Sequence, residues 1–186
     1  HSDNMGFFPD FVAGKPELLV DPQGRKWYDM VKSGQGAQAA MEIIMAFSQG
    51  TFPKGLTYFP GTTAYKSAWL DTIAAAEQYT DPGRFTALIG YEWTSTPTGN
   101  NLHRNVIFRD NGDKASQVEP FTTMAPLGSD NPRDLWKWMS AYEQKTGGNV
   151  LAIAHNGNLS NGIMFPIIES FTGKPVDLEY VQQRAK

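Results

Sequence analysis

Three histidines and one glutamate carry the chemistry that this sequence can support. His1 opens the chain in His1-Ser2-Asp3-Asn4. His103 follows Glu92 by eleven residues, in Leu102-His103-Arg104-Asn105. His155 ends the apolar run Val150-Leu151-Ala152-Ile153-Ala154 and leads into Asn156-Gly157-Asn158. Neutral imidazole and carboxylate are the usual ligands of Zn, Mn and Fe. The expectation is therefore a divalent metal site drawn from His1, Glu92, His103 and His155.

Each of these residues also has a plainer use. His1 fits an ordinary loop histidine. Glu92, beside Trp93 after an apolar run, needs a partner because an unpaired buried carboxylate is costly, and Arg104 would serve as well as a metal. His103 reads equally as a satisfied strand histidine. His155 is the best placed, since a polar residue that terminates a buried strand before a turn suits a ligand better than a core. Asn156 and Asn158 read first as turn formers and second as hydrogen-bonding groups for substrate or water. Gly34-Gln35-Gly36 lacks the preceding strand that a phosphate-binding loop requires. No Gly-x-Ser-x-Gly elbow supports a serine triad.

Composition removes several classes of function. With 40% hydrophobic residues among 186, the chain can bury a real core as one α/β domain. A net charge of −3 with scattered Lys and Arg gives no nucleic-acid footprint. No apolar stretch has the length of a membrane span. Zero cysteines exclude a disulfide scaffold, a thiolate metal site and a cysteine nucleophile, and are compatible with the cytoplasm and the periplasm alike.

The elements that must position the candidates follow from pattern. Residues 1–36 read as loop with at most short helical turns, 37–48 as helix, and 51–62 as a Gly/Pro/aromatic surface flap. Trp69, Ile73 and Ala76 give helical spacing from Ala64 to Tyr79, stopped by Asp81-Pro82-Gly83. Residues 85–91 read as a buried parallel strand, 103–109 as a second strand, and Asn111-Gly112-Asp113 as a turn. Ser129 to Pro132 supplies an N-cap and early proline for a helix with Leu135, Trp138, Met139 and Tyr142 inward, ending at Gly147-Gly148. Residues 149–154 form a third strand, and 175–186 begin another helix. This order predicts a mainly parallel α/β sheet, with Glu92 and His155 just past two strand ends and opening onto one cleft. His103 fits if its strand runs antiparallel or if it lies in the preceding loop.

The segments GYEWT, LHRNVIF and AIAHNGN, after the His-Ser-Asp-Asn start, resemble an uncharacterised bacterial family related to the PHP (polymerase and histidinol phosphatase) metal-dependent phosphoesterases. The likeness runs along most of the chain. It implies part of a distorted (β/α)7 TIM-like barrel holding divalent metals (Zn, Mn or Fe) at its strand ends. His1, Glu92, His103 and His155 would be ligands, with Glu92 bridging. The opening His-x-His and closing Asp-x-His motifs of that superfamily have no counterpart here. The chain therefore resembles the middle portion of a larger catalytic domain, inactive alone and prone to self-associate through uncovered sheet edges. Implied too is a metal-dependent phosphoesterase acting on a small-molecule phosphate ester; Arg104, beside His103, is a candidate catalytic contact to phosphate because a guanidinium suits bidentate oxyanion contacts, with pairing to Glu92 or exposure to solvent as its rival roles. The same ligands also suit an amidohydrolase-type C–N hydrolase or a non-catalytic binding module with a remnant metal site.

Overall fold

An aspartate–proline pair decides how the first third of the chain folds. In the computed structural model, which describes residues 1–184, the Asp21 carboxylate accepts from the backbone N–H groups of Gln23 (2.8 Å) and Gly24 (3.2 Å). Pro22 stands at the first helical position, where its missing N–H costs nothing. Together they open helix α3, Pro22–Lys32, which follows α1, Phe7–Ala13, and α2, Pro16–Leu19, and precedes α4, Gly36–Ser48. Residues 7–32 are thus largely helical, contrary to the loop with at most short helical turns expected from the Gly and aromatic content of 1–36. The start signal was present in Asp21-Pro22. Gly24 is required by close approach, since a Cβ there would lie 2.3 Å from the Leu18 carbonyl oxygen.

These helices enclose a cluster that includes Phe7, Phe11, Trp27 and Ile43. The segment 51–62 joins it. Leu56 is fully buried there and the Phe52 ring stacks on Phe47 at 4.1 Å, so the expected flap is anchored at its base.

The rest of the chain forms α5, Thr63–Tyr79; β1, Gly90–Trp93; β2, Arg104–Phe108; α6, Gly112–Ala115; α7, Pro132–Thr146; β3, Val150–Ala154; and α8, Leu178–Arg184. The expected turn at 111–113 is the start of the short α6. The first strand begins later than predicted, because Phe85 and Leu88 are each 60% exposed and lie outside it. The N-cap of α7 is Asn131, whose side chain accepts from the Arg133 N–H, and Gly147 closes the helix in the left-handed conformation.

The described strands form one sheet in the order β1-β2-β3, and both pairings are antiparallel. This corrects the mainly parallel expectation. The link between β1 and β2, residues 94–103, is too short for the crossover that parallel neighbours need. No barrel is present among the described residues; the chain is a mixed α/β fold with a small sheet covered by helices on one face.

That covered face carries Tyr91, Trp93, Val106, Phe108 and Val150 against Trp69 of α5 and Leu135, Met139 and Tyr142 of α7. Trp69 and Trp93 are essentially fully buried. Each withdraws roughly 200 Å² from water, a gross gain of about 5 kcal/mol. A surface ion pair contributes about 0–1 kcal/mol, so aromatic packing decides how the sheet seats on its helices. Trp138 is half-buried and stacks along Tyr142, while Trp136 is the fully inward tryptophan of α7 and meets Tyr180 of α8 edge-on. Glu92, Asn105 and Ile153 stand opposite one another on the other face, where Leu151 and Ile153 are 43% and 45% exposed. Among the described residues no helix is long and apolar enough to cross a membrane.

Arg133 ties the segment after β3 to α7. Its guanidinium donates to both oxygens of buried Glu169 (2.9 and 2.7 Å) and to Asp177 (3.0 Å). The Arg133 contact holds the Glu169 carboxyl below its ordinary value of 4.5, against the opposing effect of burial. A depressed folded value means that this pair stabilises fully above 4.5, and that the contribution disappears as pH falls through the lower folded value. Glu169→Gln is expected to cost about 2 kcal/mol at pH 7 and to flatten the acid limb of stability against pH, as read by urea unfolding. An unchanged acid limb would refute this account of the pair.

Candidate metal centre

The register of the sheet gathers the candidate residues before any side-chain contact is considered. Trp93 at the end of β1 is paired with Arg104 at the start of β2, which is paired with Ala154 at the end of β3. Glu92, His103 and His155 therefore collect at one end of the sheet, on the face away from the helices. Glu92 lies within β1 rather than just past it. His103 precedes its strand, and that strand runs antiparallel, so both conditions that allow it into the site hold. The His155 N–H donates to the His103 carbonyl at 3.2 Å, carrying the β2–β3 ladder one step beyond the strands.

Glu92 is the hub. One carboxylate oxygen lies 2.7 Å from His103 Nδ1 and the other 3.3 Å from His1 Nδ1. The His103 and His155 rings are 5.8 Å apart. Glu92, His103 and His155 each offer a ligand atom, and these atoms lie within 4.8 Å of one another. Donors around a single ion at ~2 Å are at most ~4 Å apart, so the three donors lie close enough to close on one ion with small side-chain shifts. Two imidazoles and a carboxylate, without thiolate, form a donor set suited to Zn, Mn or Fe. The hydrogen bond from His103 holds the Glu92 carboxyl below its ordinary value, with burial opposing, and keeps it ionised at neutral pH.

His1 is brought in by backbone pairing along the outer edge of β1. Ser2 N–H donates to the Glu92 carbonyl at 2.6 Å, and Thr94 N–H donates to Ser2 Oγ at 3.2 Å. His1 Nδ1 also lies 3.0 Å from the Thr94 hydroxyl, and His103 Nε2 lies 3.1 Å from the Thr96 hydroxyl. All four residues expected as ligands thus meet at one place.

Arg104 does not join them. It sits on the covered face at 3% exposure, and its guanidinium donates to the carbonyls of Leu102, His103 and Met164. The expectation of a phosphate contact from Arg104 overlooked the alternation of strand side chains, which sends residues 103 and 104 to opposite faces. The pattern reading also missed Thr94, Thr96 and Asn101. Their only signal was a Thr-Ser-Thr run directly after the first strand and an asparagine two residues before a candidate ligand. Asn156 and Asn158, read as turn formers, hydrogen-bond to Asn101.

His155 is exposed and packs little, so His155→Ala is expected to change unfolding free energy by less than about 0.5 kcal/mol. The same variant should weaken Mn²⁺ or Zn²⁺ binding at least about tenfold, measured by calorimetric titration. Wild-type affinity in the variant would remove His155 from the ligand set.

The family described as "Protein of unknown function (DUF3604)" matches residues 1–186. Neither the comparison with curated proteins nor that with solved structures gives a match.

Proposed function

We propose that this chain, which belongs to the DUF3604 family, carries the metal centre of a metal-dependent hydrolase, with a small-molecule phosphate ester as substrate. The observation that carries this reading is the convergence of Glu92, His103 and His155 at one sheet end, with His1 on the same carboxylate. Glu92, His103, His155 and His1 would hold divalent ions, which would supply Lewis acidity toward phosphoryl oxygens and lower the pKa of a bound water.

The side chains themselves bind and orient. His1 and His103 face separate oxygens of Glu92, so this carboxylate is suited to serve two neighbouring positions. Thr94 and Thr96 fix the His1 and His103 rings through their hydroxyls. Glu92, kept ionised by His103, is a ready acceptor at neutral pH.

The partial (β/α)7 barrel belongs to the same proposal. It requires β2 to be an antiparallel insertion between two parallel strands, β1 and β3, and its support is a sheet with helices on one face and exposed Leu151 and Ile153 beside the polar residues of the other. β1 and β3 point the same way, with β2 reversed between them, so the site lies at the carboxyl ends of both.

The test is metal analysis of the protein, followed by turnover of phosphomonoesters, phosphodiesters and amides. Expected are bound divalent metal and phosphoester hydrolysis that a chelator abolishes, and a loss of at least about 10²-fold in kcat/KM for Glu92→Gln. Amide turnover alone would transfer the site to C–N hydrolysis. Absence of both metal and turnover would leave a binding module.

A further inference from the structure

Asn101 is buried, with 8% of its surface exposed, and its amide reaches both histidine-bearing segments of the site. Its Oδ1 accepts from the His103 backbone N–H at 3.0 Å. Its Nδ2 donates to the Asn158 carbonyl at 2.9 Å and to Asn156 Oδ1 at 3.0 Å. Asn156 Nδ2 in turn lies 2.8 Å from His155 Nδ1. The backbone adds to this link, since Asn101 N–H donates to the Leu159 carbonyl at 3.0 Å.

The direction of this chain of bonds is set by two backbone groups. A main-chain N–H can only donate and a main-chain carbonyl can only accept. His103 N–H therefore fixes which end of the Asn101 amide is oxygen, and the Asn158 carbonyl fixes which end is nitrogen. The Asn101 NH₂ must then meet the oxygen of Asn156, which turns the Asn156 NH₂ toward His155. With Asn156 Nδ2 donating, His155 Nδ1 accepts, and the neutral form of the ring carries its proton on Nε2 in the metal-free protein, an arrangement that metal ligation must release.

We propose that Asn101 is the positioning residue of the metal centre: through one side-chain amide it sets the separation of the His103 and His155 segments and, by way of Asn156, the rotation of the His155 ring in the metal-free protein. The proposal rests on the metal-centre reading for its consequence and on hydrogen-bond geometry alone for its mechanism. Groups that orient metal-binding histidines are commonly worth a factor of 10–100 in affinity.

The experiment compares wild type, Asn101→Ala, Asn101→Asp and Glu169→Gln, the last being a destabilised control whose side chain bonds to Arg133 and not to the Asn101 network. Two readouts are taken: Mn²⁺ affinity by titration and the His155 tautomer from ring ¹⁵N shifts in metal-free protein. Asn101→Ala is expected to weaken Mn²⁺ binding about 10- to 100-fold and to move His155 from the Nε2–H form toward a mixture. Asn101→Asp keeps the acceptor for His103 N–H but loses the donors to Asn156 and Asn158, so it should alter His155 as strongly as the alanine variant. Glu169→Gln should leave both readouts at wild type. Wild-type affinity and tautomer in Asn101→Ala would overturn the proposal, and so would an equal loss of affinity in Glu169→Gln. If wild type binds no Mn²⁺ while Asn101→Ala still changes the His155 tautomer, the metal reading fails and the positioning role stands.

Discussion

Because β2 runs antiparallel between β1 and β3, one end of this small sheet receives a carboxylate and two imidazoles from distant parts of the sequence. In a two-stranded antiparallel pair, the end of one strand always faces the start of the other. A third strand antiparallel to the second restores the direction of the first. The carboxyl ends of β1 and β3 then flank the amino end of β2. Glu92, His103 and His155 meet there on the open face, while Trp93 and Arg104 take the opposite one. A slip of one residue in either register would reverse these faces and bury the donors among aromatic rings.

What prevents such a slip is the covered face. Tyr91, Trp93, Val106 and Phe108 must lie against Trp69 and α7, and the burial of two tryptophans outweighs any rearrangement that polar contacts on the open face would favour. Stability and site geometry therefore come from opposite sides of the same three strands. This division lets residues such as His155 stay exposed and exchangeable without weakening the core.

Much of this was legible in the sequence, and the failures share one cause. The helices at 37–48, 64–79 and 132–146 and the strands at 103–109 and 149–154 show clear period and clear end signals, and each appears within a residue or two. The four ligand candidates were recognisable by type, and His155 also by the strand end it follows. Misread were features that depend on what a segment meets in space. α3 was hidden among Gly and aromatic residues although Asp21-Pro22 announced it. The sheet direction turned on a loop length that was not weighed against the length of a crossover. Asn101 carries no signal beyond standing two residues before His103, since its importance arises only when the turn after β3 folds beside it.

Arg104 shows how the same segment can be read correctly for one residue and wrongly for the next. A buried guanidinium loses several kcal/mol of hydration, and the loss is tolerable here because carbonyl oxygens of Leu102, His103 and Met164 accept from it. Bonds of this charge-assisted kind contribute about 1.5–3 kcal/mol each. One of them holds the His103 carbonyl, the same oxygen that accepts from His155 N–H. From the other side, Asn101 Oδ1 holds the His103 N–H. The main chain of His103 is thus gripped at both ends of the residue, by a cation beneath the sheet and by an amide above the turn. Its imidazole is left to face Glu92 and Thr96 with little freedom to rotate. The arginine beside the histidine contributes to the geometry of the site as the anchor of the His103 backbone, and its strand position turns its side chain to the face away from Glu92 and His155.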